Sequence, residues 1–204
     1  MGIVTRISTA AVAAASLLVM AGCATGQSAG GSALATAQVA PPSGEVVGTG
    51  MLLDVAGDAT LCLGPVAESF PPQCDGLTLV DWSWDGVDGY EESGETRWGT
   101  YAVFGTFDGD VFTVTQPPIM LALYDPMRPE HPTGGVPGET PAAELDEIAT
   151  ELPAALGDLL LATWTQDGYL WADVVWDDGT LQAAADTDYG DGVVIIRSAL
   201  RPIG

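Results

Sequence analysis

The sequence predicts an α+β protein in two modules. The first is a small all-β module of the OB-like, barrel-forming kind, and the second has the ferredoxin-like order β-α-β-β-α-β. Three observations carry this expectation. Short apolar runs punctuated by Gly, Pro and Asp occupy residues 46–118 without any helical period. Cys62 and Cys74 bracket a loop stiffened by Pro65, Pro71 and Pro72 in the middle of that region. Further on, Leu145, Ile148, Ala149, Leu152 and Leu156 recur at the spacing of one helix face.

Composition narrows the function classes. The chain has 204 residues, of which 28 are acidic and five basic, for a formal net charge of −23. None of the basic residues is lysine. Phosphate backbones are held by Lys and Arg, so nucleic acid is excluded as a partner. An anionic membrane surface repels such a chain unless a covalent anchor holds it there. Hydrophobic residues make up 47 % of the sequence, enough to build a core.

The amino terminus reads as a leader. A single positive charge at Arg6 precedes residues 9–22, which are apolar or small apart from Ser16. That run is short for a membrane-spanning helix, which needs about 20 apolar residues, and it fits a secretory signal. Leu18-Val19-Met20-Ala21-Gly22-Cys23 resembles the lipobox of bacterial lipoproteins, with Met20 where Leu is commonest. The resemblance implies a signal peptide over residues 1–22, a diacylglycerol thioether on Cys23 and attachment to the membrane through that lipid. Two or more acyl chains hold a protein stably on a bilayer. Residues 23–45 are small, uncharged up to Glu45 and aperiodic, and read as a flexible tether.

Within the first module (residues 46–118), Val46–Leu53 reads as a strand bent at its glycines. With Cys23 assigned to lipid, Cys62 and Cys74 pair with each other in an oxidising compartment. A metal site lacks CxxC spacing and a neighbouring His, and a redox pair sits at closer spacing. Leu77–Trp84 reads as a further strand. Trp98–Phe107 and Val111–Gln116 flank Asp108-Gly109, the signature of a hairpin with a type I′ turn.

The loop from Cys62-Leu63-Gly64-Pro65 to Phe70-Pro71-Pro72-Gln73-Cys74, with Trp82, Trp84 and Trp98-Gly99 after it, resembles a module of uncharacterised actinobacterial lipoproteins. That resemblance implies an exported β domain with one disulfide and carries over no activity.

The second module (residues 119–204) opens with a short strand at Ile119–Tyr124 and a long Pro- and Gly-rich loop holding His131, the one histidine. Thr140 and Pro141 suit a helix start, and Pro153 is expected to end or kink the helix. Leu159–Thr165 and Tyr169–Trp176 flank Asp167-Gly168 as a second hairpin. A short helix at 180–188 and a β-branched strand at 193–198 complete the pattern.

The residues point to binding and not to catalysis. His131 lies between Glu130 and Pro132 with no nucleophile motif, and one His without a thiol pair gives zinc too few ligands. No cofactor is indicated. Aspartates group at 81, 85 and 88, at 108 and 110, at 173, 177 and 178, and at 186, 188 and 191; most sit where turns favour Asp anyway. The alternative is a calcium-binding or hydrolytic envelope protein. Trp82, Trp84, Trp171 and Trp176 are the candidate interface residues, because Trp anchors protein and glycan contacts. The expected partner is an envelope protein or a cell-wall glycan.

Overall fold

The computed structural model describes residues 1–2, 31–126 and 129–203. Cys23 and the leader around it lie outside the described residues. The described elements are helix α1 (Ala33–Thr36); strands β1 (Val46–Val55), β2 (Asp58–Cys62), β3 (Leu77–Val80), β4 (Glu91–Ser93), β5 (Thr96–Phe107), β6 (Phe112–Val114) and β7 (Ile119–Met120); helix α2 (Ala142–Leu156); strands β8 (Leu160–Gln166) and β9 (Tyr169–Val174); helix α3 (Thr180–Tyr189); and strands β10 (Val194–Ser198) and β11 (Arg201–Pro202). The α+β class is as the sequence predicts.

Five strands close a barrel in the order β1-β2-β3-β6-β5 and back to β1. Every pair in that ring is antiparallel except β3–β6, which is parallel. Val46, Leu52, Leu61, Tyr101, Val103, Phe107 and Phe112 fill the interior. Gly50 is there because β2 leaves no room for a side chain: a Cβ would collide with the Cys62 carbonyl oxygen. The β1–β2 turn is Ala56-Gly57, with φ of 58° and 100°, between paired Val55 and Asp58. Both values are positive, as a two-residue hairpin of type I′ requires.

The hairpin expected at Asp108-Gly109 forms with a wider turn. Phe107 pairs with Phe112, and the Asp108 carboxylate accepts from the Asp110 and Val111 backbone N–H groups at 3.0 and 2.8 Å. The side chain thus closes a four-residue loop in place of a type I′ turn. The second expected hairpin has the predicted geometry: Asp167 (φ 51°) and Gly168 (φ 76°) lie between paired Gln166 and Tyr169. The strand expected to reach Trp84 stops at Val80, because Asp81 adopts φ of 60° and turns the chain out of the sheet.

Cys62 and Cys74 form the disulfide. Cys62 packs with Leu53 and Trp98 on the outer side of the barrel wall, and Phe70 meets the Trp98 ring edge-on at 5.6 Å.

The second sheet is three-stranded, in the order β10-β9-β8, with β9–β10 parallel and β8–β9 antiparallel. Leu145, Ile148, Leu152 and Leu156 of α2 and Leu181, Ala184 and Ala185 of α3 pack on one face against Leu170, Ala172, Val174 and Val194. Helix α2 carries Pro153 in its last turn and continues to Leu156, where Gly157 donates to the Pro153 carbonyl.

Three expectations are corrected. The ferredoxin-like order needs a fourth strand at residue 119, but β7 pairs with Tyr101 and Ala102 of β5 in the barrel. With two residues before a 3-10 turn at Leu121–Leu123, it is too short to cross to the other sheet. The division between 118 and 119 is not a division in space either. β11 pairs with β1, and Leu161, Val175 and Leu200 pack into the barrel's cluster.

Residues 31–45, assigned to the tether, are docked onto the body. Leu34 is 2 % exposed among α2 and α3 residues. Asp188 of α3 accepts from the Ser32 hydroxyl and from the Ala33 and Leu34 N–H groups at 2.7, 2.9 and 2.9 Å. Asp178 accepts from the Ala40 N–H, and the Trp176 indole donates to the Ala40 carbonyl. One apolar anchor and two distant carboxylates do what no local periodicity announces.

Cleavage of the disulfide in Cys74→Ser is expected to lower the unfolding free energy by about 3 kcal/mol in the chain-entropy model, read by urea denaturation. The docked segment is expected to loosen in acid. Partial desolvation raises the Asp188 carboxyl, and hydrogen bonds from Leu34, Ala33 and Ser32 more than offset this, leaving it below its ordinary value of 3.8. Its contribution is therefore present above that value and is lost as pH falls through the lower, folded value. The protection factor of the Leu34 amide should fall there before that of Leu170 does, and Asp188→Ala should lower it already at neutral pH.

Candidate binding groove

The segment after β3 folds back over β5 because its aromatic residues find partners there. Trp82 and Trp84 meet edge-to-face at 5.1 Å. Both reach Tyr101, at 6.4 and 6.2 Å, and Trp84 adds Tyr90 at 5.0 Å. Such contacts contribute about 0.5–1.5 kcal/mol each beyond their buried area. The cluster is held by Asp54, the one buried charged residue among the described residues. One of its oxygens accepts from the Trp84 indole and the other from the Gly57 N–H, both at 2.7 Å. Tyr101 is 1 % exposed and donates from its hydroxyl to the Asp88 carbonyl. Burial, with Tyr90 and the Asp88 carboxylate nearby, pushes its phenol above the ordinary value, so it stays neutral and a donor. The Trp82 indole N–H is buried without a hydrogen-bond partner.

Beside this cluster lies a groove of about 510 Å³. It exists because β5 outruns β6: after Gly105 pairs with Val114, the chain leaves the sheet at Pro117-Pro118 and returns as β7 against Tyr101. One wall is Val114 to Met120 with Leu123, and the other is the segment from Asp81 to Asp88, with Trp82 and Tyr101 between them. Ile119 and Leu123 are 39 % and 75 % exposed at its edge. Asp81, Asp85 and Asp88 line the opposite wall, and no described residue lining the groove is basic.

Several carboxylates elsewhere serve the fold. Asp177 caps α3 by accepting from Leu181 and Gln182, Asp186 accepts from Gln182 and Gly192, and Asp173 forms a two-pronged ion pair with Arg197. The side-chain carboxylates of Asp81, Asp85 and Asp88 make no hydrogen bond or ion pair among the described residues. No group of three or more His, Cys, Asp and Glu side chains there is arranged to hold a metal ion.

The four candidate tryptophans do not share a surface. Trp82 and Trp84 join the aromatic cluster, and only Trp82 lines the groove. Trp171 is 5 % exposed, on the sheet face away from the helices. Trp164 stacks on it at 6.1 Å, Arg197 lies over both rings, and His131 meets it edge-on at 5.6 Å. Trp176 packs against the barrel core and holds Ala40. His131 of the loop lies against Trp171, and the amino-terminal segment lies against Trp176 through Ala40. Sequence reasoning did not find Tyr101, Ile119, Met120 and Leu123. A short apolar run directly after the Pro117-Pro118 break is the sequence signal that points to the last three.

No helix among the described residues is long and apolar enough to cross a membrane. The chain matches no known protein-family model, and no curated protein or solved structure matches it.

Asp54→Ala is expected to destabilise the protein by about 2–3 kcal/mol, since it leaves the Trp84 indole and the Gly57 N–H without their acceptor. Thermal unfolding checks the loss. The near-ultraviolet circular dichroism of the aromatic cluster should weaken in the same variant.

Proposed function

We propose that this chain is a lipid-anchored, extracytoplasmic envelope protein that binds an envelope partner without catalysing a reaction. The observation that carries the binding role is the open groove between the Asp81–Asp88 segment and β7, which joins exposed apolar side chains to three carboxylates that hold nothing in the fold. The lipobox at Leu18–Cys23 and the disulfide between Cys62 and Cys74 support the compartment. Cys23 is the residue that would carry the lipid and fix the chain to the membrane. The cysteine loop supports kinship with the uncharacterised actinobacterial lipoproteins it resembles.

We read the barrel as OB-like, on its order β1-β2-β3-β6-β5 and its single parallel pair. OB barrels present oligomeric ligands to their strands and loops. With net charge −23, this one suits a protein or cell-wall glycan in place of nucleic acid.

Two measurements test the reading. Chain expressed in its own envelope and grown with a labelled fatty acid should carry the label, and Cys23→Ala should not; equal labelling overturns the anchor. Removing the exposed apolar side chain at the groove's edge in Leu123→Ser should abolish retention of whatever the parent chain retains from envelope extract. Identical retention by the two overturns the binding role of the groove.

A further inference from the structure

We propose that the groove's occupant is a basic segment of a partner protein, lying extended with lysine or arginine side chains across the Trp82–Leu123 gap. This rests on the binding role proposed above and names the chemistry of the same site. The argument is one of complementarity on two scales. Lys and Arg carry an aliphatic stem and a charged head, and bury the stem along apolar surface while the head stays polar. The groove has that division. Val87, Ile119, Met120 and Leu123 give aliphatic surface, and Asp81, Asp85 and Asp88 give three carboxylates in one short segment. Those carboxylates accept nothing from the protein, whereas each of the other three Asp groups has at least one carboxylate that accepts turn or cap N–H groups or pairs with Arg197. A basic ligand would not displace an internal bond in reaching them.

The geometry disfavours a sugar at this position. Sugar rings lie flat on an open aromatic face, but the Trp82 and Trp84 rings meet at 90° and both are tilted against Tyr101. The field of the whole chain acts in the same direction as the groove. A net charge of −23 draws cationic partners toward the surface and speeds encounter, an effect that salt weakens.

The experiment must therefore separate the groove from the diffuse field. The full chain in detergent is titrated with an alternating Lys–Leu heptapeptide, an alternating Glu–Leu heptapeptide, spermidine and a chitin oligosaccharide, following the indole N–H resonance of Trp82. Two triple variants remove the same charge: Asp81→Asn with Asp85→Asn and Asp88→Asn, and Glu144→Gln with Asp146→Asn and Glu147→Gln on α2. The expected result is binding of the Lys–Leu peptide that the groove triple weakens about tenfold or more and the helix triple less than threefold, at about 0.15 M salt where surface charges more than about 8 Å apart are screened. Equal weakening by both triples overturns the proposal, as does preference for spermidine or for the oligosaccharide. Should the partner retained from envelope extract survive the groove triple but not Leu123→Ser, the basic class fails and the binding role stands. Retention by both variants removes both.

Discussion

β1 uses both of its edges, and the barrel depends on that. Ten consecutive residues, Val46–Val55, pair with β5 on one side, and Met51–Val55 pair with β2 on the other. A strand so placed buries every second side chain inside the ring, and Val46 and Leu52 are fully buried there. Each such side chain contributes roughly 1.5–3 kcal/mol of burial. The glycines in the middle of β1 follow from the same constraint, since closure brings the Leu61, Leu63 and Leu200 side chains up against Gly48 and the Cys62 backbone up against Gly50. The groove is its by-product. β5 must be long to match β1, and no single strand matches β5 along its other edge, so β4, β7 and β6 share it. Between two of those short partners the wall is left open.

The acidity of the chain takes two forms. Some aspartates replace backbone acceptors: at the Asp108 turn, at the start of α3, at Gly192, and at the docked segment from Ser32 to Ala40. A carboxylate accepting backbone N–H groups is held ionised, and Asp108, Asp178 and Asp188 are all lowered for that reason among others. The Asp81–Asp88 group makes no such bonds. Its segment is held by Trp84, Tyr90 and the Asp88 carbonyl, and its exposed carboxylates take no part in those contacts.

Local signals made part of this legible. The disulfide follows from cysteine spacing, the Asp167-Gly168 hairpin from positive φ at two residues, and the buried stripe of α2 from its period. What depended on distant pairing was not legible. Ile119–Met120 has the composition of a strand for either sheet, and only the free edge of β5 decides between them. Residues 31–45 look like tether because their anchors, Asp178, Asp188 and Trp176, are more than a hundred positions away. The alternation at residues 77–84 places Trp82 and Trp84 in a strand, but they lie in the segment after β3. Their neighbours Tyr90 and Tyr101 reach them from other parts of the chain.

The same non-local pairing ties the two sheets into one cooperative body. Leu200 and Val175, from the second sheet's end, are 0 % and 5 % exposed within the barrel cluster, and β11 extends the barrel sheet beside β1. At the other end of the sequence, Leu34 completes the helix layer. A chain cut at residue 118 would leave the barrel without Val175 and Leu200 and the helices without Leu34, so each part would present apolar surface that the other covers. The groove walls, drawn from residues 81–88 and 114–123, straddle that cut. A binding surface assembled across the boundary needs a fold that does not come apart there, and the returning strand β11 supplies it.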